Sequence, residues 1–506
     1  MKHLFARKSI AQLHSEAEGE NRLRRVLGPL QLTSLGIGCV IGAGIFVVTG
    51  QAAHDKAGPA IMLSFVVAGL ACVFAALCYA EFASMVPVAG SAYTYAYATL
   101  GELAAWIIGW DLILEYTIAS SAVAHGWSQY FQEFLGTFLP RLPHALSKTP
   151  FDYDPGLGHL VSTGAVVDLP AVLIAAALTC ILVRGIRESA AFNTAMVVVK
   201  LAVVVFVIGL GAFYVDPANW HPFAPFGYTG LSLFGKTILG QTGAGGEPLG
   251  MLAGSAIIFF AYIGFDSVST HAEEARNPRR DIPFGIIASL VVCTLLYLAV
   301  AAVITGMVPY DQINIEAPVA DAFRRKGLPW AHFFISSGAV VGITSVLLVL
   351  MLSQPRVMLA MARDGLVPAK VFGAVHPRFR TPWISQLVMG GCVAAFAGFV
   401  PLRVLAELVN IGTLLAFVVV CAAVLVLRKT HPKAQRPFRV PFSPVVPLLG
   451  IASSALLMFS LPKENWWRLV GWLAIGCAIY FWYGRKHSGL NAARQQPPLP
   501  GEETSG

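Results

Sequence analysis

The chain contains 506 residues, of which 56% are apolar and 12% are charged, and its mean hydropathy is +0.68. These values exclude an ordinary soluble enzyme and predict an integral membrane protein. The net charge of +8 does not indicate a nucleic-acid partner, because Lys and Arg are concentrated in alternate loops between apolar segments. By the positive-inside rule, this distribution predicts that both termini are cytoplasmic. The absence of any Asn-x-Ser/Thr site agrees with a bacterial inner membrane.

Twelve apolar segments are about as long as a helix that crosses roughly 30 Å of hydrocarbon. Residues 1–27 are basic and lack a signal peptide, and residues 10–27 fit either a membrane-surface helix or a disordered segment. We divide the chain into a cytoplasmic N-terminal segment (1–27), a transmembrane domain (28–484) and a disordered cytoplasmic tail (485–506). The predicted spans lie near residues 30–50, 58–83, 97–124, 168–184, 190–214, 251–272, 284–308, 329–358, 383–400, 404–427, 443–461 and 465–484.

The first span contains the cluster Gly42-Ala43-Gly44 near its middle. Each glycine costs about 1 kcal/mol in a helix interior, so the cluster predicts a break in the helix. Free N–H groups at the start of the outer half-helix, together with its dipole, would suit a carboxylate. Close helix packing through Gly38-x-x-x-Gly42 is the alternative. The candidate substrate-binding residues of this break are Val40, Ile41, Gly42, Ala43 and Gly44.

Two polar positions stand out in the third and fifth spans. Asp111 and Glu115 are four residues apart and therefore share one helix face; Glu115 is a candidate for pairing with Lys200 or for binding substrate. Lys200 lies about 15 Å from the cytoplasmic end of its helix, where a lysine costs about 2.5–3.5 kcal/mol. Because burial disfavours a charged amine, Lys200 is a candidate for reversible protonation. A fixed charge paired with an acid is the alternative.

The sixth span carries a second break. Unwinding over residues 260–263 would free backbone carbonyls that suit an ammonium group, opposite the carboxylate site of the first span. Together the two sites match the backbone of an α-amino acid. The two spans run in opposite directions, as in an inverted repeat of two five-span units. The candidate substrate-binding residues here are Phe260, which would cover the substrate, Ala261, Ile263 and Asp266, which would form the floor of the site.

The remaining motifs indicate no catalysis and no cofactor. The glycine run at residues 240–246 lacks the Lys-Ser/Thr ending of a phosphate-binding loop, so we predict a flexible loop without an assigned function. The eight cysteines all fall in apolar spans without metal or redox spacing. We therefore expect neither an enzyme nor a metal site.

Six motifs occur in an order typical of one family. They are Gly42-Ala-Gly-Ile-Phe46, Gly90-Ser-Ala-Tyr93, Phe260-Ala-Tyr-Ile-Gly-Phe-Asp266, Glu274-Ala-Arg-Asn-Pro278, Ala362-Arg-Asp-Gly-Leu-Val-Pro368 and Arg439-Val-Pro-Phe442. Through them the chain resembles the amino acid–polyamine–organocation superfamily over about residues 25–487, and most of all its cationic amino acid transporter branch.

The resemblance implies an all-α membrane fold of about 12 transmembrane helices, with a five-plus-five inverted-repeat core and two extra helices. It also implies alternating access and recognition of the α-groups of an amino acid by the first and sixth spans. Lys200 matches a lysine that stands where sodium-coupled relatives bind an ion, which implies proton coupling. Ala43 departs from the hydroxyl residue that many relatives carry there, so a side-chain hydrogen bond to substrate is lost.

The sequence thus predicts a secondary-active transporter of L-amino acids, with cationic ones as a candidate class, that works by proton symport. An exchanger without net proton movement and a sensor that binds without transport are the alternatives. The expected partners are the amino acid, protons and the lipid bilayer, and a small membrane partner is left open.

Overall fold

The computed structural model describes residues 7–8, 27–86, 91–140, 142–154, 159–185, 190–379 and 381–489. Apart from Leu27, the predicted surface helix over 10–27 lies outside the described residues, as do Gly90 and the tail from residue 490 onward. The described chain is overwhelmingly helical, in agreement with the predicted all-α fold.

Eighteen α-helices occur among the described residues, joined by short 3-10 and π-helical turns. In chain order they are α1 (Pro29–Val40), α2 (Thr49–Ala52), α3 (Ile61–Met85), α4 (Ser91–Thr99), α5 (Glu102–Leu135), α6 (Leu169–Arg184), α7 (Ala190–Gly211), α8 (Met251–Ile258), α9 (Ser267–Thr270), α10 (Pro278–Met307), α11 (Pro318–Arg325), α12 (Pro329–Arg363), α13 (Ala369–Phe372), α14 (Trp383–Phe399), α15 (Leu402–Thr430), α16 (Val445–Ser460), α17 (Lys463–Ile479) and α18 (Arg485–His487).

Seven helical stretches of the described chain are long and apolar enough to cross a membrane, or eight if the bent pair α16 and α17 counts as one. The two helices of that pair meet at 111°. Three shorter apolar helices, α1, α6 and α14, fall on predicted spans as well. The chain is therefore an integral membrane protein, while the count of twelve spans stays a prediction.

Three short antiparallel hairpins lie in the loops between helices. Strand β1 (Phe151–Asp154) pairs with β2 (His159–Ser162), β3 (Leu231–Leu233) with β4 (Lys236–Leu239), and β5 (Gln241–Thr242) with β6 (Pro248–Leu249). The last hairpin contains most of the glycine run at residues 240–246, so Gln241–Thr242 of the predicted flexible loop form a strand. In the β3–β4 hairpin the turn consists of the two residues Phe234 and Gly235.

The third span differs from its prediction at both ends. Gly101, with φ of +104°, separates α4 from α5, so the predicted start near residue 97 is too early. At the other end, the polar and aromatic residues 125–135, whose composition suggests a separate interfacial helix, continue α5. Gly126 in this stretch does not interrupt the helix, which continues to Leu135 and ends before Gly136.

The long helices pack side by side around the two breaks. Helix α5 packs along α12 and α15, and α10 packs along α1 and α3. Helix α7, which carries Lys200, lies against α1 and α12. The breaks of the first and sixth spans therefore lie in the middle of the bundle, covered on every side by helices.

Candidate functional site

The first break replaces one helical turn at the centre of the bundle. Helix α1 ends at Val40, and Ile41 is extended, with φ of −74° and ψ of 99°. The chain becomes helical again from Gly44 in a π-helical turn. Among the described residues, the N–H groups of Gly42, Ala43 and Gly44 have no hydrogen-bond acceptor. Three backbone donors are thus left at the start of a helix, as a carboxylate site requires.

The second break begins later than predicted. Phe259–Tyr262 keep a tight 3-10 turn, and only Ile263 is extended, with φ of −60° and ψ of 136°. Gly264 follows with φ of +109°, a conformation that favours glycine. The carbonyl oxygens of Tyr262 and Ile263 accept no hydrogen bond from a described residue. The carbonyls of Phe260 and Ala261 each have an internal donor, so those of Tyr262 and Ile263 are the ones always available to an ammonium group.

The two breaks touch each other through glycines. A Cβ built on Gly44 would lie 2.4 Å from the Cα of Ala261, and one built on Gly264 would lie 3.1 Å from the carbonyl oxygen of Cys39. Because 44 meets 261 while 39 meets 264, the two chains run in opposite directions, as the sequence predicts. Only glycine allows backbones to come this close.

Tyr297 of α10 contacts both breaks. Its hydroxyl is fully buried and lies 2.8 Å from the carbonyl oxygen of Val40 and 2.8 Å from that of Ala261. Both carbonyls lost their helical partners where the spans unwind. A single phenol therefore lies within hydrogen-bond distance of backbone carbonyls from both broken spans and can donate to either one.

Lys200 reaches the carbonyl end of α1. Its Nζ donates to the carbonyl oxygen of Gly38 at 2.7 Å and to that of Ile41 at 3.1 Å, and the side chain is fully buried. The negative end of a helix dipole favours a cation at this place. Lys200 therefore binds the backbone of the first break rather than Glu115, which the sequence offered as its partner.

Three buried acids lie close enough to interact electrostatically. The Tyr116 hydroxyl donates to Asp266 Oδ2 at 3.3 Å. Glu115 lies beside Thr413, but neither its oxygens nor those of Asp111 accept a well-formed hydrogen bond from a described residue. Buried carboxyl groups without a donor or a cation favour protonation or a bound cation.

The apolar site residues lie around the breaks. Phe260 and Ile263 are 5% and 7% exposed, and a Cβ on Gly42 would lie 2.9 Å from Val346 of α12. Ala43 packs against Gly126 of α5. The structure thus places Gly44 against Ala261, Val40 and Ala261 against the same tyrosine, and Glu115 near Asp266.

A cavity of about 700 Å³ opens at the face that the sequence predicts to be outer. Gln51 and His54 from the first span and Arg403 from α15 contribute to its wall. His125, also in the wall, has Nδ1 2.9 Å from Asp168 Oδ2. This cavity, which we call the outer vestibule, mixes acidic and basic groups in its wall.

The opposite face is closed by an inner seal, which we define as Lys8, Tyr93, Glu274, Arg356 and Asp364. Lys8 Nζ donates to Asp364 Oδ1 at 2.7 Å, and the Tyr93 hydroxyl donates to Oδ2 of the same carboxylate at 2.5 Å. Burial, and then Asp364, hold the pKa of Tyr93 well above its usual range, so the phenol keeps its proton. Arg356 and Glu274 lie 3.5 Å apart.

Sequence analysis missed Tyr297, Val346 and the contact between Lys8 and Asp364. No motif marks Tyr297, Val346 or Lys8, and the motif at residues 362–368 contains Asp364 without indicating its partner. Each of these residues acts through a segment more than 200 residues away or through a backbone group. A tyrosine in an otherwise apolar span is the one signal that was present, since a buried hydroxyl needs a partner.

Comparisons with known proteins agree with this architecture. Residues 27–481 match the family described as amino acid permease. A methylthioribose transporter of Bacillus subtilis (strain 168) is 47% identical over 491 residues, covering 97% of this chain and 100% of that protein. The branched-chain amino acid permease BcaP of the same organism is 47% identical, covering 96% and 99%. A vacuolar cationic amino acid transporter 4 of Arabidopsis thaliana is 39% identical, covering 85% and 68%.

Proposed function

Because the chain belongs to the amino acid permease family, we propose that it moves L-amino acids across the bacterial cytoplasmic membrane by alternating access, coupled to protons. The chain transports amino acids as a permease and is not an enzyme. The coupling, the orientation of the termini and the individual site residues are the parts we propose. The observation that carries the coupling is the position of Lys200 on the carbonyl end of α1.

Protonation of Lys200 would control the first break. The ammonium form makes charge-assisted hydrogen bonds to Gly38 and Ile41, which are roughly twice as strong as neutral ones. Loss of the proton would weaken both bonds and release the end of α1. A proton taken from one side and given up to the other would thereby be linked to the movement of a substrate-binding span.

The substrate backbone would bind between the breaks. The N–H groups of Gly42, Ala43 and Gly44 would hold its carboxylate, and the carbonyls of Tyr262 and Ile263 its ammonium group. Both sets are backbone groups, so they read the features that all α-amino acids share. Neither set distinguishes one side chain from another.

Two substrate classes are supported by different observations. The buried carboxyl groups of Glu115 and Asp266, whose Oδ1 has no donor, favour cationic side chains, as does the similarity to cationic amino acid transporters. The apolar Phe260 and Ile263, and the higher identity to a branched-chain amino acid permease, favour neutral branched side chains.

Uptake into proteoliposomes tests the proposal. Labelled arginine, lysine, leucine, isoleucine and valine would be offered with and without an inward proton gradient. We expect the gradient to raise accumulation of the preferred substrate in the wild type. Lys200→Ala should lose this stimulation but still bind substrate. Lys326→Ala, an exposed lysine of an outer loop, is the control.

Two results would contradict the coupling. Undiminished gradient-driven uptake by Lys200→Ala would show that Lys200 carries no coupled proton. Uptake that ignores the gradient and responds to internal amino acid would indicate an exchanger. A thermal unfolding curve for each variant separates lost coupling from lost folding.

A further inference from the structure

The β3–β4 hairpin presents apolar side chains to the outside of the protein. Leu233, Phe234, Ile238 and Leu239 are between 41% and 61% exposed, although they belong to a loop between spans. Exposed apolar residues grouped in this way mark a contact with another apolar phase. The hairpin begins beyond the outer end of α7 and lies against the corner between α16 and α17, so that phase is the outer edge of the bilayer.

Specific contacts hold the hairpin in place. The Ser232 hydroxyl donates to the Ser460 carbonyl at 2.9 Å, and the Phe234 N–H donates to the Phe459 carbonyl at 2.8 Å. Phe234 has φ of +52°, which is rare for a bulky residue. Such a conformation persists only where surrounding contacts over-determine it.

Aromatic rings supply those contacts. The Phe234 ring centroid is 5.6 Å from that of Phe459 and 5.3 Å from that of Trp466, and the Phe459 and Trp466 rings stack at 4.8 Å. Gly235 follows with φ of +77°, where a Cβ would lie 2.8 Å from the Cα of Pro462. The hairpin tip is therefore fixed on the corner between the two helices.

A groove of about 650 Å³ runs between this hairpin and α17. Its walls are mostly apolar, and Trp466 and Trp467 stand where tryptophans mark the membrane–water interface. Two cations, Lys236 and Lys463, also line it. The full set of lining residues is Leu233, Phe234, Lys236, Thr237, Ile238, Lys463, Trp466, Trp467 and Val470.

We propose that this groove binds an anionic phospholipid of the outer leaflet. An acyl chain lies along Ile238, Trp467 and Val470, and the phosphate lies between Lys236 and Lys463. The two lysines distinguish this lipid from a zwitterionic one, because each lysine at a membrane surface contributes about 1 kcal/mol toward anionic lipid. The loop before the sixth span, to which the sequence assigns no function, thereby gains one in lipid binding.

One acidic group opposes the bound phosphate. The Glu464 carboxylate lies 4.0 Å from Lys463 Nζ, with both side chains more than half exposed. An exposed pair of this kind contributes little, so Lys463 remains available. Removing the Glu464 charge is expected to tighten lipid binding, an effect opposite to that of removing the lysines.

Native mass spectrometry of the purified full chain in detergent tests the proposal, with phosphatidylglycerol and phosphatidylcholine titrated as probes. We expect the wild type to retain phosphatidylglycerol in preference to phosphatidylcholine. The double variant Lys236→Ala/Lys463→Ala should bind phosphatidylglycerol roughly 25-fold more weakly, since two lysines each contribute about fivefold. Glu464→Gln should bind it more tightly, and Lys326→Ala should match the wild type.

Two further measurements test where the lipid binds and whether inorganic phosphate competes with it. A phosphatidylglycerol with brominated acyl chains should quench tryptophan fluorescence in the wild type and less in Trp467→Phe, and inorganic phosphate should not displace it. Equal retention of both lipids, unchanged affinity in the double variant, displacement by phosphate, or a dimer mass that excludes lipid would each overturn the proposal. None of these readouts depends on transport.

Discussion

Gly44 is the residue on which the crossing of the two broken spans depends. A Cβ there would lie 2.4 Å from the backbone of Ala261, so Gly44→Ala must push two backbones apart. We expect a loss of about 1–3 kcal/mol in stability, as for overpacked cores, seen as a lower unfolding temperature. Gly391→Ala is the matched control, because its Cβ meets open space. It should be neutral or stabilising.

Gly42 allows packing and substrate binding to be separated. A Cβ at this position would lie 2.9 Å from Val346 Cγ2, a side chain that can be shortened. Gly42→Ala should weaken substrate binding by at least tenfold, and Val346→Ala should restore part of that loss by making room. Calorimetric or scintillation-proximity affinities of the two single variants and the double variant give the coupling. Strict additivity would mean that Val346 plays no part.

At the residue scale, sequence analysis identifies which groups are unusual but not what they contact. A lysine in an apolar span is conspicuous because it is costly, and a glycine pair is conspicuous because it weakens a helix. The partner carbonyls of Lys200 are 162 and 159 residues away, and they are free only because the helix is broken there. Neither fact can be read from local spacing.

The inner seal acts as an element that joins α4, α12 and the N-terminal segment. Lys8→Ala should remove the ion pair between Lys8 and Asp364 and shift the protein toward a state that is open on that face. About 1 kcal/mol, the upper end of the range for a single exposed ion pair, corresponds to roughly fivefold in population. We therefore expect about fivefold faster labelling of the buried Cys39 by a thiol reagent applied from that face, followed by peptide mass spectrometry.

Arg7→Ala is the control for this shift. Arg7 precedes Lys8 and is exposed, so its removal changes the charge of the segment equally without touching Asp364. Asp364→Asn should reproduce the effect of Lys8→Ala, and the double variant should add little to it. Equal labelling rates in Lys8→Ala and the wild type would contradict the role of the seal.

At the element scale, composition predicts helices well and their boundaries less well. The predicted starts near residues 168, 190 and 383 coincide with α6, α7 and α14 within a residue or so. Residues 125–135 are polar and aromatic and suggest a separate helix at the membrane interface. They instead continue α5, because that helix stays packed along α12 and packing decides where a helix ends more than local composition does.

The two ends of the described chain meet on one face of the whole molecule. Asp364 accepts from Lys8 through its carboxylate and from the Gly489 N–H, 3.0 Å away, through its carbonyl oxygen. An even number of crossings, such as the predicted twelve, brings both termini to the same side. Seven long helices alone would leave them on opposite sides.

Tagging both ends tests the predicted orientation. Short epitopes placed before residue 7 and after residue 489 should both be protected from protease in intact cells and both be cleaved in inverted vesicles. A cleavage of one tag only, in either preparation, would contradict an even number of spans. Cleavage of both tags in intact cells would keep the number but reverse the cytoplasmic assignment.

The Tyr297 phenol carries one hydrogen and faces two acceptors at equal distance. At any moment it donates to the carbonyl of either Val40 or Ala261, and the other buried carbonyl then lacks this donor. An arriving ammonium group can take that vacant acceptor without breaking any internal hydrogen bond, and the phenol then stays with the remaining one. Occupancy of the site would thus decide to which broken span the tyrosine donates. Substrate binding would then be recorded in the protein as a change in the direction of one O–H bond.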